Sequence, residues 1–376
     1  MKLSGLYIVF HGFAPHSGIT QKIYSQLKAF HENDVDMHLC QINVNDDGLD
    51  VIEIDHKEIY RFGTGIRSKI EKRINFSPIS EHIPHQKYDF VYIRYYSNAN
   101  PFFISFVKAL RAKGIKVLIE IPTYPYDNEF DEARRIDKIK HWFDKRYRNQ
   151  LFRNIDYVVT YSDDPYIFGC PAIQISNGID FDRIPLRTRT EHQQNHFHFI
   201  MVGELHYWHG VDRAINGLAE YNKSKPENMV FLHIVGQPST PAGFMLRELV
   251  RENKLENTVL FHGPMYGTDL DTLFDEMDLA IGSLGRHRSN ISQLKSLKNR
   301  EYAARGIPFV YSENDPDFDE MPYTLHAPKD DTPLNIGECI NFVEACKLTP
   351  LDIRNSVYPQ LSWTCQIQKI LATIYT

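Results

Sequence analysis

The feature that most constrains this chain is an alternation of short apolar runs with amphipathic stretches, which restarts once partway along. Leu3–Phe10, Met37–Val44, Asp89–Arg94, Lys116–Ile121 and Tyr157–Thr160 read as strands, with helical spacing over Ile19–His31, Phe102–Ala112 and Glu129–Phe152. Short, nearly continuous apolar strands separated by helices are the pattern of a parallel sheet covered on both faces. After the polar segment 187–196 the pattern begins again. Strands are expected at Phe197–Val202, Val230–Val235, Val259–His262, Leu279–Ile281 and Pro308–Tyr311, alternating with helices that include Ala242–Lys254, Leu270–Met277 and Gln293–Arg305. The fold class is therefore α/β, with two Rossmann-like doubly wound domains facing each other across a cleft. The chain of 376 residues divides into residues 1–180, a linker at 181–196, a second domain at 197–360 and a closing helical segment at 361–376. In such sheets ligands sit at the carboxyl ends of the strands, so chemistry is sought in the loops there.

Composition narrows the function. A formal net charge of -6 argues against a surface built for nucleic acid. No run approaches the ~18 apolar residues of a spanning helix, and the first residues lack a secretory leader pattern. Five scattered cysteines without a C-x-x-C fit free thiols in a reducing cytoplasm rather than a disulfide or zinc framework. Asp269-Leu270-Asp271 is formally D-x-D, but it stands where a helix start expects Asp. His192, His196 and His198 fall in the polar linker without a carboxylate or cysteine cage, so no metal site is expected.

The most informative block is LGRHRSNISQLKSLKNREYAARGIPFV, residues 284–310. A strand ends just before it, and a helix is expected to begin between Ser292 and Ser296 and to close at Gly306. Arg286, Arg288, Lys295, Lys298 and Arg300 thus gather at or just before a helix amino end. Free backbone N–H groups and cations converging there describe an anion site suited to a diphosphate. The competing reading is a solvated basic helix face.

This block resembles the donor-binding element of retaining glycosyltransferases of the family-4 type, which have the GT-B architecture of two Rossmann-like domains. The carrying residues are Glu301 and the following Tyr302-Ala303-Ala304-Arg305-Gly306-Ile307-Pro308. The resemblance implies that Glu301 accepts hydrogen bonds from a nucleotide ribose. The family's first acid would stand at 293, where this chain has Gln293. Phe199–Leu205 with Trp208–Asp212 is similar to the strand, loop and helix that open the family's second domain. The Arg and Lys that grip the diphosphate in many members are replaced here by Glu204 and His209. Arg288 and Lys298 are then expected to carry the neutralising charge, with His209 as a hydrogen-bond donor. Leu232–Gly236 and Val259–Met265 resemble further family strands, and Ser176–Asp180 resembles its hinge.

The resemblance extends the expected donor site to Gly18, Gly203, His209, Gly236, Pro264, Met265, Gln293, Ser296 and Leu297, with Arg288, Lys298 and Glu301 as the catalytic set. Gly18 belongs to the loop His11–Ile19, where the family places a glycine-rich turn; a plain turn is the alternative. The segment Glu120–Glu129 falls on the acceptor side, so Tyr124 and Tyr126 could stack on a sugar while Asp127 or Glu129 accept its hydroxyls. A rigid Pro-Tyr-Pro-Tyr turn is the alternative there.

Residues 134–153 hold eight Lys/Arg against two acids, with Ile136, Ile139, Phe143, Tyr147 and Leu151 at helical spacing. This is a basic amphipathic helix, open to two readings: peripheral contact with an anionic membrane, or packing on its own sheet. The function implied by the resemblance is retaining, metal-independent transfer of a sugar, of the hexosyl type. The donor is a nucleotide diphosphate sugar, no further cofactor is needed, and the acceptor is a hydroxyl on a glycan or lipid-linked molecule. Surface-polysaccharide assembly at the cytoplasmic membrane face is the implied setting. The alternatives are a non-catalytic GT-B scaffold or binding subunit and a sugar-nucleotide epimerase of the same fold.

Overall fold

The computed structural model describes residues 2–13, 17–83, 87–127, 135–188 and 194–375. They form two compact units, Met1–Ser176 together with Trp363–Thr376, and Asn177–Ser362.

The first unit contains β1 (Leu3–Val9), α1 (Gly18–Glu32), β2 (Val35–Val44), β3 (Asp50–Ile54), β4 (Lys57–Arg61), α2 (Gly65–Ile74) and α3 (Ser77–His82). It continues with β5 (Phe90–Arg94), α4 (Pro101–Ala112), β6 (Lys116–Ile121), α5 (Arg135–Phe152), β7 (Tyr157–Thr160), β8 (Tyr166–Ile167) and β9 (Cys170–Gln174). The sheet order is β4-β3-β2-β1-β5-β6-β7-β9-β8. Strands β2, β1, β5, β6, β7 and β9 run parallel, and β3, β4 and β8 are antiparallel additions at the edges. Alternate residues of β1 serve opposite faces: Leu6 and Ile8 enter one buried cluster, Tyr7 and Val9 the other. That two-sided burial is why the strand reads as an unbroken apolar run. The β3–β4 hairpin has no counterpart in the expected elements. Its two-residue turn is Asp55-His56, both at positive φ (48° and 65°), a hairpin turn without the Asn-Gly signature that would have marked it.

The second unit contains β10 (His196–Val202), α6 (Val211–Lys223), β11 (Met229–Val235), α7 (Pro241–Glu252), β12 (Val259–Gly263), α8 (Gly267–Asp275) and β13 (Leu279–Ile281). Then come α9 (Leu297–Arg305), β14 (Phe309–Tyr311), β15 (Thr324–His326), α10 (Ile336–Ala345) and α11 (Pro350–Val357). The chain ends in α12 (Trp363–Tyr375), which packs on α1 of the first unit. All six strands are parallel, in the order β12-β11-β10-β13-β14-β15. Counted within the unit this is the doubly wound order 3-2-1-4-5-6. His196 and His198 therefore lie in β10 rather than in a linker, and His198 Nδ1 is 3.0 Å from His233 Nε2 on the neighbouring strand. Between β10 and β13 the winding reverses, which opens a crevice at their carboxyl ends.

Candidate active site

The crevice of the second unit is built from four short segments: Gly203 after β10, the loop Tyr207–Gly210, the residues after β13, and the amino end of α9. Helix α9 starts later than the sequence pattern suggests because Ser296 caps it, its Oγ accepting from the Lys298 N–H at 3.3 Å. The cap turns Leu297 outward and lays Lys298 across Gly203. A Cβ at Gly203, whose φ is +139°, would stand 2.8 Å from Lys298 Cε and 3.0 Å from Nζ. Glycine is favoured there for its backbone angle, and a side chain would push the end of the lysine aside. Gly236 serves the same contact from behind, since a side chain on it would strike the Gly203 carbonyl.

Of the five cations expected around the start of α9, three have structural or separate positions. Arg300 is 1% exposed and is held by Asp315, Asp317 and the carbonyls of Asn177 and Ser296. Lys295 is buried, and its carbonyl accepts from Asn177 Nδ2 at 2.6 Å. Arg288 grips both oxygens of Asp212 at 2.9 and 2.8 Å, Asp331 at 2.7 Å and the Tyr207 carbonyl at 2.7 Å. Those carboxylates hold the Arg288 guanidinium on the loop Tyr207–Gly210, so it braces the crevice wall rather than pointing at a ligand. Lys298 and Arg286 remain. They lie close enough for Arg286 to depress the Lys298 ammonium, which burial first and this repulsion second bring down to about 7. Two neighbouring cations partly withdrawn from water, with Glu313 and Glu204 acting on Lys298 in the opposite sense, describe a site suited to an anion.

His209 closes the group. Its ring is buried, and Nδ1 lies 2.5 Å from the Glu204 carbonyl, which can only accept. Nδ1 therefore carries the proton, and the neutral ring offers Nε2 as an acceptor, opposite to the donor role expected for it. Burial, then Lys298 and Arg286, keep its pKa down to about 2. Glu204 is exposed and pairs with His206 at 3.0 Å. Glu301 lies on α9 with Oε1 accepting from Arg305 at 3.0 Å, while Arg305 also binds Asp271 at 2.7 Å. Asp271, the second acid of the D-x-D string, is thereby a structural partner. Gln293 pairs in an isolated parallel bridge with Asn314, Pro264 is exposed, and Met265 packs on the core beside α8.

One residue that the sequence reading passed over sits beside this group. Glu313, after β14, is 2% exposed, and no other residue hydrogen-bonds either carboxylate oxygen. Burial raises its pKa to about 7 against the pull of its own main chain, Arg286 and Lys298. It follows a strand end, where attention was due, but nothing in its neighbours' identity signals that it is buried and unpaired. Arg286 was named within the basic block and is the cation that accompanies Lys298.

In the first unit the expected acceptor residues are differently engaged. Tyr126 is buried with its hydroxyl donating to Asp144 at 2.7 Å, and Asp127 takes both nitrogens of Arg148 at 2.6 and 3.0 Å, with His141 and Lys145 nearby. Tyr124 packs edge-on against Phe168. Gly18 opens α1 behind the Ser17 cap, with nothing within 4 Å of where a side chain would start. Glu129, Arg134 and His192 lie outside the described residues. Helix α5 is turned roughly a quarter-turn from the packing that its apolar spacing suggests. His141, Asp144 and Leu151 face inward, whereas Ile136, Ile139, Trp142 and Phe143 are exposed, Trp142 at 62%. The cause is Asp144, which accepts from the Tyr95 and Tyr126 hydroxyls and from the Ala99 N–H and so pulls the polar face down.

No protein-family model and no curated protein matches the sequence. Solved structures do. Sucrose-phosphate synthase from Thermosynechococcus elongatus is similar at TM-score 0.66 and 14% identity, covering 99% of each chain. Trehalose-6-phosphate synthase OtsA is similar at TM-score 0.63 and 12% identity, covering 99% of each chain. Anabaena HepE, solved in complex with UDP, is similar at TM-score 0.61 and 16% identity, covering 100% of this chain and 99% of its own. The fold is that of the GT-B glycosyltransferases.

Proposed function

We propose that this chain is a glycosyltransferase that moves a hexosyl group from a nucleoside diphosphate sugar to an acceptor hydroxyl, with retention and without a metal. The observation that carries the reading is Lys298, folded over Gly203 at the amino end of α9 and paired with Arg286 where the sheet winding reverses. As the bond from the anomeric carbon to the diphosphate oxygen breaks, its electron pair stays on the diphosphate. The acceptor oxygen bonds to that carbon, and its proton passes to the departing phosphate. Negative charge thus grows where Lys298, Arg286 and the α9 amino end converge, and these groups stabilise the transition state more than the bound donor. Charge neutralisation by these cations is the task a metal would otherwise perform. HepE, of the same fold and solved with UDP, makes UDP-sugars the first donors to try.

Product analysis with a panel of UDP- and GDP-sugars tests this reading. Lys298→Ala should lower kcat by about 100-fold or more while weakening nucleotide binding much less. A loss confined to binding, with kcat intact, would contradict the role.

The acceptor is lipid-linked, and the enzyme works at the cytoplasmic membrane face in glycan or surface-polysaccharide biosynthesis. Support comes from α5, whose exposed Ile136, Ile139, Trp142 and Phe143 are flanked by exposed Arg135, Lys138, Lys145 and Arg146. No helix among the described residues is long and apolar enough to cross a membrane, so contact would be peripheral, each cation adding ~1 kcal/mol near anionic lipid. Sedimentation with phosphatidylglycerol vesicles should capture the protein, and Trp142→Ala with Phe143→Ala should release it without lowering its unfolding midpoint.

A further inference from the structure

Glu313 differs from the other fully buried acids of this molecule. Asp315, two residues on, is equally buried but is gripped through both oxygens by Arg300 and through one by Asn299 at 3.1 Å. Asp278 accepts from the His198 N–H, Asp144 from two tyrosine hydroxyls and a backbone N–H, and Glu120 from four side chains. Among the described buried carboxylates, Glu313 alone has both oxygens unpartnered. A fold keeps an unpaired acid out of water only when something else completes it.

Its position says what that something is. Glu313 follows β14, beside the bridge that ties Asn314 to Gln293, and lies within the electrostatic reach of Arg286 and Lys298. Those two cations suit the diphosphate. A carboxylate next to them would repel a further phosphate, and an apolar group would leave it uncompensated. A neutral ring rich in hydroxyls satisfies it, because each hydroxyl donates and a carboxylate has two oxygens to accept.

We propose that Glu313 is the residue that reads the donor's sugar, its carboxylate accepting hydrogen bonds from ring hydroxyls beside the diphosphate held by Lys298 and Arg286. This rests on the nucleoside-diphosphate-sugar reading above. Its raised pKa agrees with the geometry, since hydroxyl donors stabilise the ionised form that the empty site disfavours.

The test is calorimetry on the full chain with UDP, GDP, UDP-glucose, UDP-galactose and GDP-mannose, for the wild type, Glu313→Gln and Glu313→Asp. For the best donor, Glu313→Gln should leave the matching nucleoside diphosphate within about threefold of wild type or tighter, and weaken the nucleotide sugar at least tenfold. Removing one hydroxyl from that sugar should cost the wild type a similar factor and cost Glu313→Gln little, so the two losses are not additive. Glu313→Asp, which keeps the charge, should retain part of the sugar preference. If Glu313→Gln weakens nucleoside diphosphate and nucleotide sugar equally, or neither, the inference fails while the donor-site reading stands. If wild type binds no nucleotide, the reading and the inference fall together.

Discussion

Glu120 in the first unit and Glu313 in the second are both acids at the carboxyl-terminal side of parallel strands, and both are shielded from water. Glu120 accepts from Gln26 and Tyr92 at 2.7 Å each and from Arg94 at 2.5 Å, with Lys22 at 3.3 Å. Lys22 in turn lies over the Tyr161 ring, 3.8 Å from its centroid. Burial alone would raise the pKa of Glu120, but Lys22 and Arg94 outweigh it and bring the group to about 2. Glu313 has the opposite balance, with burial winning over Arg286 and Lys298 at longer range. One network is complete and braces a sheet against α1; the other waits for partners. Breaking a buried charge pair leaves its partners uncompensated, and an acid buried without partners is a candidate place for a ligand.

The sharpest way to break this contrast is to neutralise each acid in turn. Glu120→Gln strands Lys22 and Arg94 and should cost about 3–5 kcal/mol of stability, read from the denaturant midpoint of the full chain. Glu313→Gln removes an unpaired buried charge and should raise the midpoint at pH 8. Opposite signs are the content of the comparison; a shared sign would end it.

The pH dependence sharpens it further. Because the folded-state pKa of Glu120 lies below that of an unfolded glutamate, its stabilisation is present above pH ~4.3 and disappears as pH falls through about 2. For Glu313 the folded value is raised, so its penalty is full above pH 7 and fades as pH falls toward ~4.3. The stability gap between Glu313→Gln and wild type should therefore shrink over that interval, while the gap for Glu120→Gln stays flat until strongly acid conditions.

A smaller effect separates the two arginines. Arg286→Ala should weaken nucleoside diphosphate binding about tenfold and raise the Lys298 pKa, so that affinity becomes less sensitive to pH between 6 and 9. Arg288→Ala loosens a wall and should change affinity less than threefold, since Asp212 and Asp331 already neutralise it. Titration calorimetry across that range distinguishes them.

Much of the architecture is legible in the sequence. The strands Lys116–Ile121, Tyr157–Thr160 and Leu279–Ile281 stand where their apolar runs lie, because strands buried on two faces must be apolar throughout. The block from Arg286 to Gly306 does hold a helix that closes at Gly306, since a glycine C-cap followed by proline leaves little freedom. The partners of each charge were not legible. Arg288, Lys298 and Arg300 look alike as letters; one braces a wall, one lies across a glycine, and one is sealed under the loop after β14. Helix α5 shows the same limit: the first part of its apolar stripe, Ile136, Ile139 and Phe143, faces outward because a single buried aspartate found three donors inside.

Sequence alone determined the class of architecture, through periodicities that local sterics and burial impose on every parallel sheet. Only tertiary structure decided which charges are satisfied, because hydrogen bonds and ion pairs depend on groups brought within about 3 Å from distant parts of the chain. That decision separates Glu120 from Glu313, and with them scaffold from candidate site.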